Sequence, residues 1–144
     1  MRSLTTELAD LNVLLSLHDQ NHEYHGVAVE WFTSVSSFAT TPATEIGFVR
    51  LLTHAKVMRG NPVKPSIAMA MLDALKASAK ASFWGDLEGF DRTRFRYAFQ
   101  GSASVTDLHL LDIAVAHGGR LATIDSKIAA ALRPQDRRHL NILI

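Results

Sequence analysis

The sequence predicts an α/β fold in three layers, α/β/α, with a short and mostly parallel sheet covered by helices on both faces. Short apolar segments alternate with helical segments along the 144 residues, and this alternation is typical of parallel sheets. Residues 121–124 (LATI) are apolar enough for a strand at the centre of such a sheet. Right-handed crossovers then place the loops that follow the strands at one edge.

The composition is that of a soluble globular protein with a single domain, which we place at residues 1–144. The hydrophobic fraction of 47% and the charged fraction of 20% are ordinary values for such a domain. Because the chain has no cysteine, disulfides, thiolate zinc sites and thiol nucleophiles are excluded. No apolar run approaches the roughly 20 residues of a membrane span, and the N-terminal segment lacks the apolar core of a signal peptide. We therefore expect a cytoplasmic protein.

The first part of the chain predicts one strand followed by two helices. Residues 6–10 form a weak strand pattern, the chain turns near Asp10, and residues 12–18 indicate the start of an apolar helix. A second helix, at about 22–35, has one apolar face. The histidines near the junction of these helices lack a metal-binding spacing and are interpreted as surface residues: His18, His22 and His25.

A second strand and two further helices follow. Residues 38–41 indicate the strand. Thr41 and Pro42 then indicate a helix, because threonine is a good cap and proline fits the first helical position. This helix is expected to extend to about residue 56. A loop separates it from a fourth helix, predicted at 65–79.

The next segment is less regular. Residues 81–84 predict an edge strand. Residues 86–99 fit both a strand, through alternating aromatic residues, and a helical stripe. We favour the helix, because Asp86 can cap it and Gly101 can end it.

The chain is organised around a helix, a glycine stop and a short strand. Residues 106–117 predict the helix, with leucines, a valine and alanines on one face. Gly118 can end this helix without a Cβ penalty, and residues 121–124 supply the strand. A short alanine-rich helix at 126–132 and a last strand at 139–144 complete the fold.

Four acidic residues from distant parts of the sequence are predicted at one edge of this sheet. They are Asp10 after the first strand, Glu45 one turn into the helix that follows the second strand, Asp107 in the first turn of the central helix, and Asp125 after the central strand. Taken alone, Asp107 is explained by the helix dipole and Asp125 by a helix cap. A capping box does not account for Glu45, because the residue three positions after Thr41 is Thr44.

Clustered carboxylates of this kind predict a divalent metal site. Without a counter-charge they repel each other and take raised pKa values. Oxygen ligands, with no cysteine and no histidine motif, favour Mg²⁺ over zinc, with Mn²⁺ as the alternative ion. Such an ion assists the hydrolysis of phosphodiesters. The residues therefore predict a metal-dependent phosphodiesterase.

Four motifs in this order resemble those of the PIN domain, and above all those of the VapC toxins of bacterial VapBC toxin–antitoxin pairs. The motifs are DLNVLLSL at 10–17, TPATEIGFVRLLT at 41–53, TDLHLL at 106–111 and GRLATID at 119–125. The resemblance spans nearly the whole chain. It implies a Mg²⁺-dependent endoribonuclease that hydrolyses RNA phosphodiesters to inhibit translation and growth, and that a VapB-type antitoxin holds inactive.

The resemblance also implies roles for particular residues. The catalytic acids would be Asp10, Glu45, Asp107 and Asp125, and the metal ligands among them Asp10, Asp107 and Asp125. Three polar residues would orient these ligands: Asn12, Thr106 and Thr123. In this family the first helices form the groove that receives the antitoxin. We therefore expect a groove beside the acids and either a homodimer or a toxin–antitoxin hetero-oligomer.

Two features depart from the family's pattern. The first strand is unusually polar, with Thr5, Thr6 and Glu7 where the family tends to be apolar. Asp112 stands where the family usually has a small apolar residue. Asp112 lies five positions after Asp107, about 140° round a helix, so we expect it to pair with a basic neighbour rather than to share a metal ion.

The charge distribution favours an anionic ligand for the later part of the chain. Residues 1–49 carry a net charge of −5 and the remainder carries +6. Four basic residues are therefore candidates for binding RNA phosphates: Arg92, Arg96, Lys127 and Arg133. A solvated basic surface explains the same residues equally well.

Two alternatives remain open on the sequence alone. One is a PIN-like interaction module without catalytic activity, and the other is a different acid-cluster Mg²⁺ phosphohydrolase. The presence of all four acids favours an enzyme over a silent module. Haloacid-type phosphatases need an Asp-x-Asp pair after the first strand, whereas here Asn12 stands two residues after Asp10.

Overall fold

The computed structural model describes residues 5–86 and 88–144, and its centre is a five-stranded sheet. In chain order the strands are β1 (Glu7–Ala9), β2 (Phe38–Thr40), β3 (Ala81–Phe83), β4 (Arg120–Thr123) and β5 (Leu140–Ile142). They lie side by side in the order β3-β2-β1-β4-β5, and each neighbouring pair is parallel. The predicted parallel sheet is confirmed, with β1 at its centre and β3 at an edge.

Helices cover both faces of the sheet. They are α1 (Leu11–His18), α2 (His25–Ser34), α3 (Pro42–Leu52), α4 (Pro65–Lys76), α5 (Val105–Ala116) and α6 (Lys127–Ala131). Successive residues of a strand point to opposite faces. Leu8 therefore packs in a core with α5 and α6, whereas Ala9 packs in a second core with α1 to α4. Within the described ranges, no helix combines the length and apolarity that crossing a membrane requires.

The register of β1 against β4 places polar residues where the two strands end. Ala9 lies opposite Ala122, and the amide of Asp10 donates a hydrogen bond to the carbonyl of Ala122 at 2.9 Å. Asp10 therefore leaves the sheet beside Thr123, at the carboxyl edge. This is the edge at which the sequence places the acids.

A buried ion pair at the opposite, amino edge of the sheet explains the polar start of β1. Glu7 is 3% exposed and lies opposite Arg120 in the register of β1 and β4. Its carboxylate accepts hydrogen bonds from Arg120 Nη2 at 2.5 Å, Trp31 Nε1 at 2.7 Å and Asn141 Nδ2 at 2.9 Å. Donors from α2, β4 and β5 thus compensate the desolvation of the charge.

The cap that begins α3 also agrees with the sequence. The hydroxyl of Thr41 accepts a hydrogen bond from the amide of Thr44 at 3.2 Å, and the hydroxyl of Thr44 accepts one from the amide of Thr41 at 2.8 Å. Thr44 therefore occupies the position that a glutamate takes in most capping boxes. This leaves the carboxylate of Glu45 for other contacts.

The predicted helix at 86–99 is wrong. Two 3₁₀ turns stand in its place, Phe90–Arg92 and Arg96–Ala98. Thr93 ends the first turn, and its hydroxyl accepts a hydrogen bond from the amide of Phe95 at 3.3 Å. Such local side-chain bonds compete with helical bonding. Leu87, which belongs to the predicted stripe, lies outside the described residues.

Three helices are shorter than predicted. α3 ends at Leu52 instead of near residue 56, because the carbonyl of Leu52 accepts a hydrogen bond from the amide of Val63 at 2.7 Å. α4 ends at Lys76 instead of near residue 79, and α2 begins at His25 instead of near residue 22.

The interpretation of His18, His22 and His25 as surface residues is also wrong, because all three are half-buried. His18 Nδ1 donates to the carbonyl of Leu14 at 2.8 Å, and His25 Nδ1 donates to the carbonyl of Ser16 at 2.8 Å. Burial lowers the pKa of His18. The bond of His25 therefore links α2 to α1, whereas that of His18 lies within α1.

The buried ion pair predicts a measurable coupling between Glu7 and Arg120. Arg120→Met keeps the apolar stem but leaves the carboxylate of Glu7 buried without a positive charge. We expect the free energy of unfolding to fall by about 2–4 kcal/mol. Replacing both residues, as Glu7→Gln with Arg120→Met, should restore part of this loss. Urea unfolding at pH 7 measures Arg120→Met, Glu7→Gln and the double variant.

The more exposed pair of Arg94 and Asp112 provides the control. Their side chains are 51% and 24% exposed, so Arg94→Met should cost less than about 1 kcal/mol. Additive effects of the two single substitutions at Glu7 and Arg120 would show that the buried pair is not coupled.

Candidate active site

Asp10 joins β1 to α1 at the carboxyl edge of the sheet and is 4% exposed. It caps α1, because its Oδ1 accepts a hydrogen bond from the amide of Leu11 at 2.7 Å. Its Oδ2 accepts a hydrogen bond from the hydroxyl of Thr123 at 2.8 Å. Both oxygens are held, so the carboxylate has a fixed orientation.

The buried hydroxyl of Thr123 connects four residues. It accepts hydrogen bonds from Asn12 Nδ2 at 3.2 Å and from the amide of Asp125 at 3.1 Å. Because both of these groups are donors only, the hydroxyl proton must point to Asp10. Asn12 Oδ1 in turn accepts a hydrogen bond from the amide of Ile124 at 3.3 Å. Asn12 and Thr123 are thus placed to orient Asp10.

Asp107, in the first turn of α5, lies close enough to Asp10 for their charges to interact. Burial raises the pKa of both residues. The charges of Asp10 and Asp125 raise the pKa of Asp107 further, to about 7.

Asp125 combines two interactions. Its Oδ1 accepts a hydrogen bond from the amide of Lys127 at 2.9 Å, so it does cap the turn into α6. Its charge also raises the pKa values of Asp10 and Asp107. The structure therefore brings together three of the four predicted acids.

Glu45, the fourth predicted acid, has different partners. Its Oε2 accepts a hydrogen bond from the hydroxyl of Thr40 at 2.7 Å, and its Oε1 accepts one from Lys76 Nζ at 3.0 Å. The side chain of Glu45 is 14% exposed, and Lys76 on α4 balances its charge. Glu45 thus faces α4 rather than the other three acids.

Thr106 is not brought to the acids. It is exposed, because consecutive residues of a helix point about 100° apart and Asp107 faces inward. Within the described residues Thr106 makes no hydrogen bond to an acidic side chain. Its predicted orienting role therefore lacks a geometric basis.

A cleft of about 380 Å³ opens beside Asp107 and Asp125. The segment 98–104 forms one side and α5 and α6 form the other. Ala103 and Ala131 supply accessible apolar surface, Leu108 and Ile128 are buried behind it, and Lys127 also lines the cleft.

The four basic residues predicted to bind RNA are all exposed: Arg92, Arg96, Lys127 and Arg133. Among them, Lys127 lines the cleft. The guanidinium of Arg133 lies over the ring of Tyr97, 4.0 Å from its centroid. By contrast, Arg94 Nε donates to Asp112 Oδ1 at 2.7 Å. The prediction that Asp112 pairs with a basic neighbour is confirmed.

The acids fit a magnesium ion better than a closed metal cage. In the described part of the chain, no group of three or more His, Asp or Glu side chains is arranged to hold an ion by itself. Mg²⁺ commonly uses one or two carboxylates and keeps several waters. The pair of Asp10 and Asp107 provides such ligands, and burial raises the pKa of both, with repulsion by neighbouring acids as a further cause.

Two relatives from Mycobacterium tuberculosis cover almost the whole chain. Ribonuclease VapC39 is 41% identical over 130 residues, which are 86% of this chain and 91% of the relative. Ribonuclease VapC44 is 33% identical over 145 aligned positions, covering 94% of this chain and 98% of the relative. This chain belongs to the VapC ribonuclease family. No protein-family profile matches it.

A solved VapC structure supports the fold. The crystal structure of Mycobacterium tuberculosis VapC20, described as a Sarcin-Ricin loop cleaving toxin, matches with a TM-score of 0.62. The match covers 86% of this chain and 93% of that chain at 14% sequence identity. The predicted PIN-like α/β/α fold is confirmed, and membership of the VapC family confirms the prediction of a ribonuclease.

Sequence reasoning missed the two residues that hold Glu45. Thr40 ends β2, and a hydroxyl at the carboxyl end of an apolar strand was an available signal. Lys76 lies on a different helix, at a distance along the chain that no motif or period connects to Glu45. Only the packing of α3 against α4 reveals it.

The raised pKa of Asp107 predicts that metal-free protein loses stability as the pH rises. Its pKa is about 7 in the folded protein and 3.8 as the usual value, so the folded state binds more protons between these values. Stability is therefore lost as the pH rises from about 4 through 7. Asp107→Asn should remove this loss and stabilise the protein by about 1–2 kcal/mol at pH 8, after allowance for partial exposure.

Thermal unfolding in EDTA between pH 4.5 and 8 measures this effect. Asp112→Asn is the matched control on the same helix. Because Asp112 is paired with Arg94, its replacement should not stabilise the protein at pH 8. Parallel pH curves for wild type and Asp107→Asn would refute the prediction.

Proposed function

We propose that this chain is a Mg²⁺-dependent endoribonuclease that acts as the toxin of a type II toxin–antitoxin pair. It hydrolyses RNA phosphodiesters and thereby inhibits translation and growth, and a VapB-type antitoxin holds it inactive. The observation that carries the proposal is the pair formed by the buried Asp10 and the half-buried Asp107, beside Asp125 at the cleft, in a chain whose relatives are named ribonucleases. Mn²⁺ is the alternative ion.

Asp10 and Asp107 would hold the ion, and Asp125, as the third proposed ligand, would have to turn towards it when the ion binds. Asp10 and Asp107 repel each other when both are ionised, so bringing a cation between them is favourable. Thr123, supported by Asn12, keeps one oxygen of Asp10 in place. When bound, Mg²⁺ supplies positive charge that stabilises the negative charge developing on the phosphate.

Glu45 completes the proposed set of catalytic acids from α3. Its carboxylate is fixed by Thr40 and its charge is balanced by Lys76. It therefore adds no further repulsion to the pair of Asp10 and Asp107. Its position at the carboxyl edge follows from the strand that precedes α3.

The ribonuclease should depend on both the ion and the acids. We expect RNA cleavage in Mg²⁺ or Mn²⁺ and none in EDTA, and a loss of roughly 10³-fold or more in kcat for Asp10→Asn and Asp107→Asn. Thr123→Val should lower activity about 10- to 100-fold, and Thr123→Ser should restore it. Cleavage of a labelled RNA, followed by gel electrophoresis, measures these rates.

Asp112→Asn is again the control and should retain wild-type activity, because its partner is Arg94. Circular dichroism spectra should show that each variant is folded. Full cleavage in the presence of chelator would rule out the metal-dependent mechanism.

The partner surface that we propose for the antitoxin is a groove of about 440 Å³ between α3 and α4. Ile46 and Met69 line it and are 69% and 49% exposed. Apolar anchors on neighbouring helices suit the apolar face of an incoming helix. Glu45 also lines the groove, so a basic side chain of the antitoxin would meet an acid there.

Co-expression tests the antitoxin and its groove. Wild-type protein alone should arrest growth, whereas Asp107→Asn should not. The VapB-type antitoxin, which we expect a short gene directly upstream to encode, should co-purify with both. Ile46→Glu should weaken this binding by at least about tenfold, because it places a charge on an apolar contact.

Ile144→Glu is the control for this substitution, since Ile144 is 56% exposed and lies outside the groove. Growth arrest that persists in Asp107→Asn would remove ribonuclease action as its cause. Equal co-purification of Ile46→Glu and Ile144→Glu would place the antitoxin elsewhere.

A further inference from the structure

The cleft beside the acids has more apolar surface than the hydrolysis of a phosphodiester requires. Its accessible apolar lining comes from the exposed Ala103 and the half-buried Ala131, with Ile128, which is 6% exposed, packed behind them. Asp107 and Asp125 lie in the same cleft. A phosphate group needs charge and hydrogen bonds, so this apolar surface serves another part of the substrate.

The outer side of the cleft is polar and well defined. Gln100 and Ser102 are exposed residues that line it. The hydroxyl of Ser104 accepts a hydrogen bond from the amide of Gln100 at 3.2 Å and donates one to the carbonyl of Gly101 at 3.0 Å. Gly101 has a φ of 136°, which a residue with a side chain rarely adopts. The segment 98–104 is thus a shaped wall rather than a loose loop.

An apolar cleft with a polar rim matches the shape of a nucleobase, which has two apolar faces and a hydrogen-bonding edge. Proteins that read RNA sequence bind unpaired bases in this way. In a duplex the faces are stacked and the edge is paired, so a base must leave the helix before it can enter such a cleft. Lys127 adds a positive charge beside Asp125, where a neighbouring phosphate of the RNA would lie.

We propose that the cleft between segment 98–104 and α6 binds the base of a nucleotide next to the cleaved phosphate, and that it selects both unpaired RNA and the base at that position. This inference rests on the proposed ribonuclease function. Gln100 and Ser102 read the edge of the base, and the apolar surface contacts its face. Arg96 and Arg133, both exposed, continue the positive charge along the neighbouring surface.

Removing one base from the substrate tests the cleft directly. The cut in a mixed-sequence single-stranded RNA is mapped first, and matched oligonucleotides are then made with an abasic ribose on either side of that cut. With wild-type protein, loss of the bound base should lower kcat/KM by about 10- to 100-fold. Annealing a complementary strand should have an effect at least as large.

Ala103→Leu fills the cleft from an exposed position. It should lower kcat/KM on the intact RNA about tenfold or more and bring the ratio of intact to abasic rates towards one. Ala130→Leu is the matched control, because Ala130 is exposed on α6 and does not line the cleft. It should behave as wild type. Gln100→Ala should flatten the preference among the four bases at that position, which a purely structural role would not do.

The possible outcomes separate this inference from the proposed function. If wild type cuts the intact and both abasic RNAs equally, the cleft does not bind a base, although ribonuclease activity stands. The same conclusion follows if Ala103→Leu and Ala130→Leu are indistinguishable. If wild type cuts no RNA with Mg²⁺ or Mn²⁺, the proposed function fails. Binding of a fluorescent single-stranded RNA to Ala103→Leu and Ala130→Leu then decides the inference, and equal affinities reject it.

Discussion

The register of β1 against β4 is the constraint on which both ends of the molecule depend. It places Glu7 opposite Arg120 at one edge of the sheet and Asp10 beside Thr123 at the other, with only Leu8 and Ala9 between them. A slip of one residue would turn every side chain of β1 to the other face. Glu7 would then lose its partner and Asp10 would lose the hydroxyl that orients it. The buried ion pair thus helps to hold the acids in place from across the sheet.

Glu7 and Asp10, at the two ends of β1, are buried to a similar degree. Only the charge of Glu7 is compensated by a positive charge. Glu7 has a guanidinium and two neutral donors, so its charge is compensated within the fold. Asp10 accepts hydrogen bonds from neutral groups only and faces a second acid in Asp107. Folding therefore leaves a deficit of positive charge at the carboxyl edge alone. Uncompensated charge of this kind is found more often at functional sites than in structural ion pairs.

The sheet and the clustering of three acids could be predicted from the sequence, because each of these acids lies next to a strand or helix with a strong sequence pattern. It was insufficient for segment 90–104, whose conformation depends on tertiary contacts such as Arg94 with Asp112, and such contacts leave no period in the sequence. The partner of the buried Glu7 could have been predicted from the sequence. A charge in a central strand requires a counter-charge, and Arg120 opens the neighbouring parallel strand.

The wall of the cleft lies largely outside the two cores of the protein. Most residues from 99 to 103 are exposed, and the bonds that shape this wall are made by Ser104 and by backbone groups. Exposed residues of this kind can be replaced at little cost in stability. In the proposed role of the cleft, replacing these few residues would change the RNA base that is preferred, while the sheet, the acids and the stability margin would stay as they are.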